Sequence, residues 1–116
     1  NAGTFLALER SFALGTGNTI RLFETSTQSA TDVSHIEVLD TVPSPNIVPM
    51  SKHLLTDFET DLDLDPDNLE GMAFGPELSD GYSSLILDSD NNFNHFQTTQ
   101  FILLGVKIEP TGQLAN

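Results

Sequence analysis

The chain reads as an all-β protein, and three observations predict it. Short apolar runs recur along all 116 residues, none of them longer than one strand needs. Clusters rich in Gly, Pro, Asn, Asp and Ser separate those runs, and each carries turn chemistry. Where the runs are long enough to test, their apolar residues alternate with a period of two.

The elements follow in order. Phe5–Leu8 enters a first strand directly behind Asn1-Ala2-Gly3. The turn Gly15-Thr16-Gly17-Asn18 leads to Thr19–Glu24, where Ile20 and Leu22 stand opposite Arg21 and Phe23. Residues 26–50 form a long, polar, proline-bearing connection with the turn Pro43-Ser44-Pro45-Asn46. His53–Phe58 is the third run, although Ser51-Lys52-His53-Leu54-Leu55 would also suit one helical turn with Ser51 as its N-cap. Leu69–Phe74 and Leu85–Leu87 lie between the turns Pro66-Asp67-Asn68, Ser79-Asp80-Gly81 and Asp90-Asn91-Asn92. Phe101–Ile108 alternates best: Ile102, Leu104, Val106 and Ile108 share one face, with Lys107 on the other. Residues 109–116 read as a frayed tail.

The six runs fall into two groups, 4–58 and 69–108. This grouping suggests a partial β-propeller of about two four-stranded antiparallel blades. Such a pair would leave sheet edges and an apolar face uncovered. Together with the abrupt start, this leads us to expect a piece of a larger propeller.

Charge narrows the function. Seventeen acids face four bases, Arg10, Arg21, Lys52 and Lys107, for a net charge of −13. No basic stripe exists to neutralise phosphates, which argues against nucleic acid and against anionic membrane surfaces. No apolar run is long enough to span a bilayer as a helix. With no cysteine, the chain has neither a disulfide nor a thiolate metal site. An acidic surface suits hard cations such as calcium, and it also simply serves solubility.

Two carboxylate-rich segments approach the spacing of a metal loop. Counting from Glu59, the residues Glu59, Asp61, Asp63, Asp67 and Glu70 imitate an EF-hand, but Leu64 stands where the sharp turn requires Gly. A solvated acidic loop is the simpler reading. Asp88, Asp90 and Asn92 open a second D-x-D-x-N pattern, with Phe93 in the glycine position and Thr99 in place of the bidentate Glu. A strand-end cluster of hard oxygens competes there with a turn whose side chains bond their own backbone.

Gly81-Tyr82-Ser83-Ser84-Leu85 misses the G-x-S-x-G elbow at its last position. His35, His53 and His95 are scattered and suit surface or turn positions better than zinc ligation. Arg10, directly after the first run, would suit bidentate anion binding or a salt bridge, and Lys52 is the second anion-binding candidate.

Several segments combine into a more specific pattern. Phe5-Leu6-Ala7-Leu8-Glu9-Arg10-Ser11, Ala30-Thr31-Asp32-Val33 and Lys52-His53-Leu54-Leu55 occur in that order. Asp67-Asn68-Leu69-Glu70-Gly71-Met72-Ala73-Phe74-Gly75-Pro76, Ser89-Asp90-Asn91-Asn92-Phe93 and Gln97-Thr98-Thr99-Gln100-Phe101 follow. This series resembles the C-terminal part of the bacterial phytase-like family, described as esterase-like proteins of the phytase group. N-L-E-G-M-A-F-G-P and S-D-N-N-F are its most specific pieces, and the likeness spans residues 4–105.

The resemblance implies a secreted or periplasmic propeller with an acidic channel, in which calcium ions bridge acidic side chains and substrate phosphates. On this basis Glu70 and Arg10 are the expected catalytic residues, and Arg10 and Lys52 the expected substrate-binding ones. Glu9, Glu70, Asp88, Asp90 and Asn91 are the expected metal ligands. The expected activity is calcium-assisted hydrolysis of a phosphate or carboxylic ester. A non-catalytic, calcium-stabilised propeller acting in binding or assembly is the alternative. Either way, the remaining blades would come from the same protein or from another chain.

Overall fold

The computed structural model describes residues 3–15, 17–37 and 47–108. Among these residues there are six strands: β1 (Thr4–Ala13), β2 (Gly17–Ser26), β3 (Ser51–Asp57), β4 (Leu69–Glu77), β5 (Ser83–Ser89) and β6 (Phe101–Val106). Each apolar run supplies one strand, and no helix occurs among the described residues. The all-β expectation therefore holds.

All pairing is antiparallel, in two sheets of order β1-β2-β3 and β4-β5-β6. Among the described residues each sheet has three strands, where the sequence reading expects four. Six apolar runs yield only three strands per sheet, and the connection after β2 contributes none among the described residues. The turn Pro43–Asn46 and the tail 109–116 lie outside the described residues.

The alternative helical turn at Ser51–Leu55 is a strand. Lys52, His53 and Leu54 pair with Thr25, Glu24 and Phe23 of β2, so the ladder satisfies backbone groups that one isolated turn would leave open. A register shift beside Leu22 and Phe23 leaves Leu55 as the extra residue of a bulge.

The β1–β2 hairpin closes where Ala13 meets Gly17. Gly15 and Gly17 have φ of 88° and 89°, a region that side chains with a Cβ rarely adopt. The long connection is tied at both of its described ends. Thr27 N donates to Gly3 O at 2.8 Å, Thr31 N to Val48 O at 2.9 Å, and Val48 N to Thr31 Oγ1 at 2.8 Å.

Register partners share a face, so period-two alternation becomes one packed layer. Ile20 and Leu22 of the first sheet are buried with Leu69, Leu85 and Leu87 of the second, and Leu6, Leu8, Met72, Ile102, Leu104 and Val106 pack at the margins. Phe58, just past β3, is fully buried in the same cluster, and its N–H donates to Ile20 O at 3.0 Å. One core thus serves both sheets. Each buried Leu or Ile contributes about 1.5–3 kcal/mol of transfer free energy.

Candidate functional site

The richest polar arrangement lies where β4 begins, β5 ends and β6 starts. Asp67 governs it from just before β4. Its carboxylate accepts from Thr98 N at 2.6 Å and Asn68 N at 2.8 Å, and its own N–H donates to Gln100 Oε1 at 2.7 Å. Ser89, buried at the end of β5, completes the knot. Its hydroxyl donates to Thr98 O at 2.7 Å and accepts from Gln100 N at 2.8 Å. The Asp67–Glu70 and Gln97–Gln100 segments, far apart in sequence, are thereby held together.

Glu70 is exposed at a register shift between Leu69 and Gly71. Asn68 Nδ2 donates to Glu70 Oε1 and holds that carboxylate. Asn68 is 3% exposed, and its Oδ1 is buried with no hydrogen-bond partner. Asp88 is half-buried opposite Gly71. A Cβ on Gly71 would come within 1.9 Å of Asp88 Oδ1, so the glycine makes room for this carboxylate.

Asp90 and Asn91 follow β5, and their side chains serve their own loop. Asp90 Oδ1 accepts from Asn92 N at 3.0 Å, and Asn91 Oδ1 from Phe93 N at 3.1 Å. Asn92 and Phe93 have φ of 49° and 55°, a conformation these side-chain bonds help to hold. The self-bonding turn of the sequence reading is what the structure contains.

The first sheet carries the cations. Lys52 Nζ lies 2.7 and 2.8 Å from the two Glu9 oxygens and 4.2 Å from the centre of the Phe23 ring. Arg21 Nε donates to Asp57 Oδ2 at 2.7 Å, while Asp57 Oδ1 accepts from Glu59 N and Thr60 N, each at 3.2 Å. The Arg21 bond, helped by the Thr60 N–H, holds the Asp57 carboxyl below its ordinary range. Arg10 lines a small cleft of about 90 Å³ with Glu9, Ser11, Thr19 and Arg21. Among the described residues Arg10 forms no ion pair.

Expected site residues therefore fall on two sheets. Glu70, Asp88, Asp90 and Asn91 share one end of the second, and Glu9, Arg10 and Lys52 belong to the first. Among the described residues no three of His, Cys, Asp and Glu gather to hold a metal. Oxygens of Glu9, Asp90 and Asn91 are engaged by Lys52 and by turn N–H groups. Among the described residues the expected calcium ligands are not preassembled as one site. Ser84, in the near-miss elbow, is buried and donates to Pro76 O at 2.6 Å.

Sequence reasoning missed the positioning roles of Asn68, Ser89 and Gln100. The signal was present as amides and a hydroxyl at strand ends, but their partners are remote in sequence. It also missed Arg21 and Asp57, whose pairing needs the β2–β3 register.

Two antiparallel sheets on one core, with cations on one and a polar strand-end knot on the other, define an all-β protein that carries acids at its strand termini. Within that class the particular family is shown by a family model, Phytase-like: Esterase-like activity of phytase, which matches residues 1–93, and the chain belongs to this family. The match ends at Phe93, so Gln97–Phe101 of the sequence pattern lies beyond it. No curated protein and no solved structure matches the chain.

Proposed function

We propose that the chain takes part in hydrolysis of a phosphate or carboxylic ester, as part of a secreted or periplasmic β-propeller in which its two sheets are consecutive blades. The observation that carries this reading is the family match over residues 1–93. Remaining blades would come from the same protein or another chain.

In this reading Arg10 receives the substrate anion. Its guanidinium forms no ion pair among the described residues and lines a cleft with the hydroxyl-bearing Ser11 and Thr19, which suits a tetrahedral or planar oxyanion. Glu70 is the candidate base. Its carboxylate is exposed, and Asn68 Nδ2 orients it. Lys52 would add positive charge only by releasing Glu9, so its part is secondary. Calcium could use the hard oxygens of Glu9, Glu70, Asp88, Asp90 and Asn91 only after rearrangement, because they fall on two sheets and Glu9, Asp90 and Asn91 already accept from Lys52 and turn N–H groups.

A second reading has its own support. The oxygens of Asp90 and Asn91 already cap their loop, and no described acid cluster is formed. Both facts weigh against a preassembled hydrolytic centre, and the second reading is a non-catalytic propeller acting in binding or assembly, in which calcium has a structural part.

The test is hydrolysis of p-nitrophenyl phosphate and p-nitrophenyl acetate with and without calcium, together with calcium's effect on the melting temperature. Calcium-dependent turnover that Glu70→Gln and Arg10→Ala each abolish supports the hydrolase. A melting temperature raised by calcium without turnover supports the binding module. If calcium changes neither, its assignment fails.

A further inference from the structure

Four strands lie at sheet edges, and they differ in how they are protected. An unprotected edge presents a row of N–H and C=O groups to any extended chain, so edges usually carry charge, Pro or a bulge. Edge β1 carries Glu9 and Arg10. Edge β3 carries Lys52 and His53 beside a register shift. Edge β4 carries Glu70, Pro76 and Glu77 and two register shifts. Edge β6, with the sequence Phe-Ile-Leu-Leu-Gly-Val, has none of these devices. Its register with β5 runs unbroken from Phe101 to Val106. Among all six strands it alone has no ionisable side chain.

This strand also projects apolar groups. Phe101 is 75% and Leu103 63% exposed, and among the described residues no strand pairs with the second side of β6. A groove of about 320 Å³ opens beside its first residues, lined by Leu64, Asp65, Pro66, Gln100, Phe101 and Ile102. Most of that lining is apolar, with one carboxylate at Asp65.

We infer that β6 is a docking edge for an extended segment of another protein, which adds a fourth strand to the β4-β5-β6 sheet. Main-chain hydrogen bonds would supply affinity, and an apolar side chain would fill the groove between Leu64 and Phe101. Charge decides what kind of partner fits. The chain carries −13, so a second copy is repelled, whereas a strand with apolar residues and basic ends is attracted. Asp65 is the carboxylate placed to meet one of those basic ends.

The test uses the full chain and two fluorescent probes. One is a short acetylated peptide of alternating valine and threonine with lysine at both ends. The other is the same peptide N-methylated at every residue, which has no N–H on either edge and cannot complete a ladder. Saturable binding of the first and none of the second is expected. Leu103→Lys, which puts a charge on an exposed position of the edge, should weaken binding about tenfold or more. Asp65→Lys should weaken it about tenfold and favour a glutamate-ended peptide instead. The inference is overturned if neither peptide binds, or if N-methylation makes no difference. Concentration-dependent dimerisation that Leu103→Lys abolishes would also overturn it, because the occupant would then be a second copy. The peptide pair decides the matter on the unmodified protein if either variant fails to fold.

Discussion

The two sheets solve the same problem with different chemistry. In β1-β2-β3 the polar side chains pair with each other across strands, as Glu9 with Lys52 and Arg21 with Asp57. In β4-β5-β6 they pair with backbone, as Asp67 with Thr98 N and Ser89 with Thr98 O. Three of the four bases belong to the first sheet, and Lys107 follows the second. The Glu9–Lys52 pair is half-exposed, so it is weak and can exchange for a ligand, whereas Asp57 of the other pair is buried. Ser89 is buried, so its bonds to the backbone are structural and costly to lose. The first sheet is thus the one suited to receive an anion, and the second is suited to hold carboxylates in fixed places.

The most severe way to break this comparison is to attack what the sheets share. Leu85→Ala and Leu22→Ala should each destabilise by about 2–5 kcal/mol, because both side chains are buried in one cluster. Denaturant unfolding should remain one transition for both variants. Two separate transitions would show that the sheets are independent.

Next comes the knot of the second sheet. Ser89→Ala removes a donor to Thr98 O and an acceptor for Gln100 N, and should cost about 1–3 kcal/mol. Hydrogen exchange at Gln100 should quicken, while β1–β2 amides keep their protection. Gly71→Ala should cost about 1–3 kcal/mol by crowding Asp88, and the double variant with Asp88→Ala should recover part of it.

The smaller effects belong to the first sheet. The Asp57 carboxyl has a folded pKa below its ordinary value, so its ionised form favours folding. This contribution is complete above the unfolded carboxylate value of about 3.9, and it is lost as pH falls through the folded pKa. An acid titration of stability should therefore lose its Asp57-dependent part in Asp57→Asn, with neutral-pH differences compared separately. Glu9→Gln should change stability least, by about 0–1 kcal/mol, because the Lys52 pair is half-exposed. It should also free Lys52 and strengthen phosphate binding at low salt, measured by phosphorus NMR titration.

Much of the fold was legible because period-two runs and turn residues are local signals. Ile20, Leu22, Ile102, Leu104 and Val106 are inward-facing as their alternation predicts. Leu54 and Leu55 show the limit. Leu-rich segments suit a helical turn as well as a strand, and only pairing with β2 removes the ambiguity. The candidate site was less legible. Glu70, Asp90 and Asn91 were picked out by type, yet Asn91 and Asp90 are occupied by their own turn. Arg10 and Lys52 looked equivalent in sequence, but Lys52 is paired with a residue 43 positions away.

The sequence by itself determined the secondary-structure class, the places of the turns among the described residues, the acidic composition and the family. All of these depend on residues close together in the chain, on composition or on ordered motifs. The tertiary structure alone decided that both sheets share a core, that Gly71 yields its space to Asp88, and that Ser89 and Gln100 lock onto the Asp67 segment. It also singled out β6 as the one uncharged edge. Those outcomes depend on register and strand order, which bring remote residues within bonding distance and which no local pattern encodes.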